Sequence, residues 1–321
     1  MKTLRYLAAA TAVALIPATG MAQTKWDMAT PYPDGEFHTQ NIMQFAEDVS
    51  TATNGGLDIT IHSGASLFKH PEIKRSVQNM FVPMGEVLMA NLFNEDPIFG
   101  ADNIPFIATT YESAKALWDA QRPLVEAKLA EDGIRLLYAV PWPGQGFYTN
   151  KELTSGADLS GMRFRTYNAT TARMAELLEA APTTIEAVEI PQAFSTGIVD
   201  AMVTSGATGA RTKAWDFTTD FYDLQAWLPK NMIIVNESAF SGLPEDQQQA
   251  MLDAAATAET RGWEMSAEVA ASSVAELGEN MAVREVPEAL VKDLSVVGET
   301  MANEWAESVG PDAQIILDAV K

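Results

Sequence analysis

Residues 158–168 read Asp158-Leu159-Ser160-Gly161-Met162-Arg163-Phe164-Arg165-Thr166-Tyr167-Asn168. After the Ser-Gly turn, apolar and basic side chains alternate over 162–165, which is the period-two pattern of a strand. Met162 and Phe164 then anchor one face in a core, while Arg163 and Arg165 project together from the other. Asn168 or Thr170 is placed to cap a helix over 170–179, in which Met174, Leu177 and Leu178 share a face. In open α/β sheets ligands bind at the carboxyl ends of strands, and Arg165 stands at such an end. A planar guanidinium there can hold a carboxylate through two parallel hydrogen bonds. For either arginine, the alternation alone leaves open an ion pair with a surface acid instead.

Working outward, strand and helix patterns keep alternating. Strands are predicted over 183–188 and 198–204, with a short helix over 191–197 that begins at a proline. Upstream, strands are predicted over 25–29, 57–62, 87–92 and 134–140. Helices are predicted over 38–51, where Ile42, Phe45, Ala46 and Val49 fall at i, i+3, i+4, i+7, and over 71–80 and 113–130. The two series meet at the loop Pro141-Trp142-Pro143-Gly144-Gln145-Gly146. Such alternation implies α/β architecture with mainly parallel sheets, in two lobes. The tail is helical: one long helix over 244–279 with Gly262 a candidate bend, then helices over 287–308 and 311–320.

The chain has 321 residues with 21 Lys+Arg against 43 Asp+Glu, a formal charge of −22. That balance excludes a nucleic-acid binder, which needs clustered cations to displace counterions. A hydrophobic fraction of 47 % with 20 % charged residues is enough for packed cores, and the length suits two of them. There is no cysteine, so disulfides, cysteine-ligated metals and thiol nucleophiles are excluded. No Gly-x-Ser-x-Gly elbow is present, and the three histidines, His38, His62 and His70, have no metal-ligand spacing. Residues 204–209 resemble a phosphate loop only loosely, lacking its Gly-Lys-Ser/Thr ending. No cofactor and no metal are expected.

At the N-terminus, Lys2 and Arg5 precede an apolar run over 7–16, Pro17, and a small-x-small site at Gly20-Met21-Ala22. This is the order of a secretory leader, 1–22, cleaved after Ala22. A periplasmic, soluble mature chain is expected, more acidic still once Lys2 and Arg5 are lost.

Pro33-Asp34-Gly35 with His38, Thr53-Asn54-Gly55-Gly56, Asn103-Ile104-Pro105-Phe106, the 158–165 segment and Gly197-Ile198-Val199-Asp200-Ala201 follow one another in an order and spacing that resemble the periplasmic solute-binding proteins of tripartite ATP-independent periplasmic (TRAP) transporters, of the DctP type. The resemblance spans essentially the whole mature chain. It implies a two-lobe periplasmic binding protein fold with hinge strands and a long lobe-spanning helix. The lobes are expected at 23–145 plus about 231–270 and at 146–230 plus about 271–321. It implies that Arg165 pairs with a substrate carboxylate and that the receptor delivers its ligand to small and large membrane permease subunits. Where relatives often carry an asparagine, Thr204 stands here. Where many carry another arginine, this chain has Gln145-Gly146-Phe147.

Without that second arginine, and with Trp142, Phe147, Tyr148, Tyr167, Trp215 and Trp227 near predicted lobe edges, a monocarboxylate with an apolar or aromatic body is the expected ligand. On the other lobe His38, Asn91 and Glu86 are polar candidates. The expected binding set is therefore Arg165, Thr204, Asn91, Tyr167, Trp142, Phe147, His38, Gln145 and Trp215. Two other readings stand beside it: a binding subunit of another importer or a sensor, and a secreted α/β hydrolase or lyase. The absent nucleophile motifs weigh against the latter.

Overall fold

A computed structural model describes residues 23–320, so the leader expected over 1–22 lies outside the described residues. The elements run β1 (Thr24–Ala29), α1 (Phe37–Ala52), β2 (Leu57–His62), α2 (His70–Gln78), β3 (Met84–Leu88), α3 (Tyr111–Glu131), β4 (Ile134–Pro141) and β5 (Gln145–Thr149). They continue with β6 (Arg163–Thr166), α4 (Ala169–Leu177), β7 (Ala181–Thr184), α5 (Ile190–Ser195), β8 (Ala201–Ser205), α6 (Gly206–Arg211), β9 (Asp220–Tyr222) and β10 (Lys230–Asn236). Last come α7 (Glu237–Ser241), α8 (Glu245–Asn280), β11 (Ala282–Arg284), α9 (Glu288–Val309) and α10 (Pro311–Asp318).

Two sheets form, in the orders β2-β1-β3-β10-β4 and β11-β9-β5-β8-β6-β7. The pairings β1–β2, β1–β3, β6–β7, β6–β8 and β9–β11 are parallel, as the alternating pattern predicts. β10 and β5 instead run antiparallel to both of their neighbours. These are the strands reached when the chain crosses between sheets, from β4 to β5 and from β9 to β10. The crossing segments pair with each other: Trp142 N donates to Pro229 O at 2.7 Å, Gln145 N to Trp227 O at 3.0 Å, and Ala226 N to Gln145 O at 3.1 Å.

The long helix α8 packs on α1 and β4 of one layer and on α6 and β11 of the other. Its buried stripe includes Met251, Ala254, Ala255, Ala258 and Gly262, then Ser273 and Leu277. Gly262, the candidate bend, lies within this helix as a close contact. A Cβ there would come within 2.4 Å of Val140 Cγ2. α9 packs against α4 and against the helical turn at 97–103, where Trp305 Nε1 donates to Pro97 O at 2.8 Å. No described helix is long and apolar enough to cross a membrane.

Candidate functional site

The carboxyl ends of β1, β3, β6, β7 and β8 converge on one cleft between the two sheets. It is lined by Tyr32, His70, Leu88, Asn91, Trp142, Gln145, Arg165, Tyr167, Glu186, Ala187, Thr204, Ser205, Thr208 and Pro229. It is a small cavity of about 40 Å³.

Arg165 is the centre of the cleft's chemistry. β6 carries it in with Phe164 turned into the core, where Phe164 meets the Phe147 ring edge-on at 5.4 Å. The residue is 2 % exposed. Its Nε donates to Ile185 O at 2.9 Å and its Nη1 to Val203 O at 3.2 Å, so the carbonyls at the ends of β7 and β8 fix its orientation. Tyr167 lies beside it, with its ring centroid 5.3 Å from Cζ. Among the described residues, Nη2 has no hydrogen-bond partner and no acid pairs with the group. Burial lowers its pKa to about 10, which leaves it cationic at neutral pH. Arg163, two residues earlier on the same strand face, has the other fate: it is exposed, and its Nε bonds Asp200 Oδ2 at 2.7 Å.

The other walls are also positioned by the backbone. Tyr167 OH accepts from Trp227 Nε1 at 3.0 Å and lies 3.4 Å from both Asn103 Nδ2 and Gln145 Oε1. Gln145 Nε2 donates to Pro143 O at 2.9 Å within the crossing loop. Ser205 caps α6 by accepting from Thr208 N at 3.1 Å. Leu88 N donates to His70 Nε2 at 3.0 Å, so the proton of the neutral ring sits on Nδ1. That Nδ1 is 3.5 Å from both Asn91 Nδ2 and Glu186 Oε2. Asn91 Oδ1 is buried without a partner among the described residues.

A second polar chain backs the aromatic wall. Asn231 Nδ2 donates to Glu86 Oε1 at 2.7 Å, and Asn231 Oδ1 accepts from Trp142 Nε1 at 2.9 Å and Tyr32 OH at 3.5 Å. Thr30 Oγ1 also donates to Glu86. Burial pushes the Glu86 carboxyl up to about 7, and the bonds from Thr30 and Asn231 offset only part of that rise. Glu86 thus acts behind the cleft, orienting through Asn231 the two aromatic side chains that line it.

Of the nine residues expected to bind ligand, Arg165, Thr204, Asn91, Tyr167, Trp142 and Gln145 meet in the cleft. Three do not. Phe147 is fully buried on β5, two residues beyond Gln145 on the same strand face, where that face has passed into the core. His38 is buried behind Trp142, 4.4 Å between ring centroids, and burial lowers its pKa well below the usual imidazole value. Trp215 does not line the cleft and packs against the cluster of Tyr148, Ile190 and Phe221. Among the residues not anticipated, Tyr32, Glu186 and Ser205 stand at strand carboxyl ends, the signal that singled out Arg165. His70 opens α2 and reaches the cleft only through tertiary packing. Among the described residues no three His, Asp or Glu gather as for a metal.

The model of the bacterial extracellular solute-binding protein family 7, DctP, matches residues 28–310. DctP7 of Bordetella pertussis, an extracytoplasmic solute receptor whose structure was solved binding pyroglutamic acid, is 45 % identical with a TM-score of 0.91, covering 92 % of this chain and 99 % of its own. A marine metagenome TRAP solute binding protein specific for pyroglutamate is 42 % identical with a TM-score of 0.91, covering 93 % and 98 %. A solute-binding protein of Albidiferax ferrireducens is 23 % identical over 242 residues, 70 % of this chain and 68 % of that protein. With the match running from the first strand to the end of α9, the chain belongs to the DctP family of TRAP solute receptors, which are transport proteins and not enzymes.

Proposed function

We propose that this chain is the exported receptor of a TRAP transporter for a small monocarboxylate of the pyroglutamate type, held through Arg165 and handed to the membrane permease subunits. The observation that carries the reading is the Arg165 guanidinium, buried in the cleft with no acid in direct contact among the described residues. A buried cation left unpaired is costly, and an anionic ligand is the group that would complete it. The free edge of a guanidinium matches a carboxylate, with Thr204 and the Asn91 amide available to neighbouring polar atoms. Trp142 and Leu88 offer apolar contact to a small ring.

The relatives narrow the ligand: those at 42–45 % identity bind pyroglutamic acid. The sequence 1–22 supports export, because its charge, apolar run and cleavage site match a secretory leader.

Calorimetry with the leaderless protein, titrated in turn with L-pyroglutamate, succinate, L-proline and glucuronate, tests the reading. One-to-one binding of L-pyroglutamate, accompanied by a raised melting temperature, is the expected result. If no carboxylate binds while a neutral sugar does, the reading fails. Delivery is tested separately, by uptake into vesicles carrying the permease, with and without the receptor.

A further inference from the structure

We infer that Glu186 reads an N–H donor on the bound carboxylate, so that the cleft selects a lactam-type monoanion and turns away dicarboxylates. This deepens the carboxylate-receptor reading and rests on it.

A carboxylate in a cleft built around a cation calls for a reason. Glu186 lies two residues beyond β7 and lines the cleft with Arg165. The two are held in fixed relation, because Arg165 Nε is bonded to the carbonyl of Ile185, the residue just before Glu186. Yet they form no direct ion pair: the two charges attract through space, and each keeps a free edge for a ligand. One of its oxygens, Oε2, faces His70 Nδ1 at 3.5 Å. The other, Oε1, has no protein hydrogen bond among the described residues, and the side chain is 31 % exposed.

The group is an ionised acceptor. Burial alone would raise its pKa, but the His70 contact and the Arg165 cation outweigh that and hold it below the usual carboxylate range. Beside Arg165, the cleft therefore offers one cationic donor edge and one anionic acceptor. A monoanion that also carries an N–H satisfies both. A second carboxylate in the same small space would face Glu186 and be repelled. A ring oxygen in place of the N–H would leave the Glu186 carboxylate without its donor, the kind of loss by which polar sites reject close analogues.

The acceptor's setting spans the two sheets: His70 opens α2 beside the first, whereas Glu186 belongs to the second.

The experiment compares L-pyroglutamate with its lactone analogue, in which oxygen replaces the ring N–H, and with succinate. Calorimetry on the wild-type protein is expected to show the lactam favoured over the lactone by about tenfold or more, the worth of a charge-assisted bond. Glu186→Ala is expected to erase that preference. Glu186→Gln, which keeps an acceptor but removes the charge, is expected to narrow the gap between succinate and L-pyroglutamate. Equal affinity of wild type for lactam and lactone would overturn the inference while leaving the Arg165 reading intact, as would a preference that survives in Glu186→Ala. Failure of L-pyroglutamate to bind the wild type at all would overturn both. The wild-type comparison needs no variant, so misfolding of a mutant cannot obscure the answer.

Discussion

Glu36, just before α1, and Arg211, the last residue of α6, form an ion pair across the cleft, with Arg211 Nε donating to Glu36 Oε2 at 2.7 Å. Glu36 is 3 % exposed and Arg211 22 %. Burial raises the Glu36 carboxyl pKa, and Arg211 pulls it partly back. The two residues sit on elements of different sheets, so an opening of the cleft would break the pair. Arg211→Ala would leave a buried carboxylate alone in the closed form, a cost that opening into water relieves. The expected outcome is ligand affinity reduced by about tenfold or more, with the melting temperature of the ligand-free protein nearly unchanged. Calorimetry beside thermal melts checks both halves. Unchanged affinity would remove the pair from the closure mechanism.

Arg165→Lys separates charge from geometry. Lysine keeps the cation but cannot bond the carbonyls of Ile185 and Val203 and a carboxylate at once in the fixed fork that guanidinium supplies. Affinity for L-pyroglutamate is expected to fall by about a hundredfold or more, the worth of about 3 kcal/mol. Circular dichroism should show the fold retained. A lysine variant that binds within threefold of wild type would mean that the arginine supplies only charge.

The 158–168 segment shows what local sequence carries and what it does not. Alternation placed Phe164 in the core and Arg165 opposite it, and Asn168 caps α4 by accepting from Thr171 N at 2.9 Å. It could not separate Arg163 from Arg165, because the difference is set by Asp200, far along the chain, on one and by the carbonyls of β7 and β8 on the other. The antiparallel strands were less legible. β10 is fully buried and carries Lys230 and Asn231 within it, so it lacks both alternation and a clean apolar run. The crossing loop hid the start of β5, and with it the reason Gln145 faces ligand while Phe147 does not. Glu186 fell inside a predicted strand over 183–188. The observed strand stops at Thr184, which frees Glu186 to turn into the cleft.

Gly262 gives a test of the seam between α1, α8 and β4. An added Cβ would meet Val140 Cγ2 at 2.4 Å and Asn41 Nδ2 at 2.7 Å. Asn41 in turn donates to Ala258 O at 2.9 Å and accepts from Arg261 Nε at 2.8 Å. Alanine gains about 1 kcal/mol of helix propensity over glycine, while overpacking a tight core costs about 1–3 kcal/mol. Net destabilisation is expected for Gly262→Ala in urea unfolding. Combining it with Val140→Ala, which makes room, should cost less than the two single changes added together. Strict additivity would show that the contact is not where the strain falls.

Glu86 sets a pH dependence whose sign follows from its burial. Its carboxyl is pushed up to about 7 in the folded protein, from 4.5. Between those values the folded protein holds a proton that the unfolded chain has released. Stability contributed by the protonated form is therefore present at acid pH and lost as pH rises through about 7, amounting to about 3 kcal/mol. Asp102, raised by burial to about 6 against the pull of Lys230, adds a slope of the same sign. His38, 3.8 Å from Glu86 Oε1 and held neutral by burial, adds one of the opposite sign. Those contributions are common to wild type and variant, so the difference between the two isolates Glu86. Glu86→Gln keeps an oxygen to accept from Asn231 Nδ2 and offers its amide N–H to Thr30 Oγ1, so the aromatic wall stays oriented. Urea unfolding at pH 5, 6, 7 and 8 should find the variant gaining on wild type as pH rises from 5 to 7, with the difference levelling off by pH 8. Parallel curves for the two proteins would mean that Glu86 stays ionised throughout, with the carboxylate carried by Thr30 and Asn231 alone.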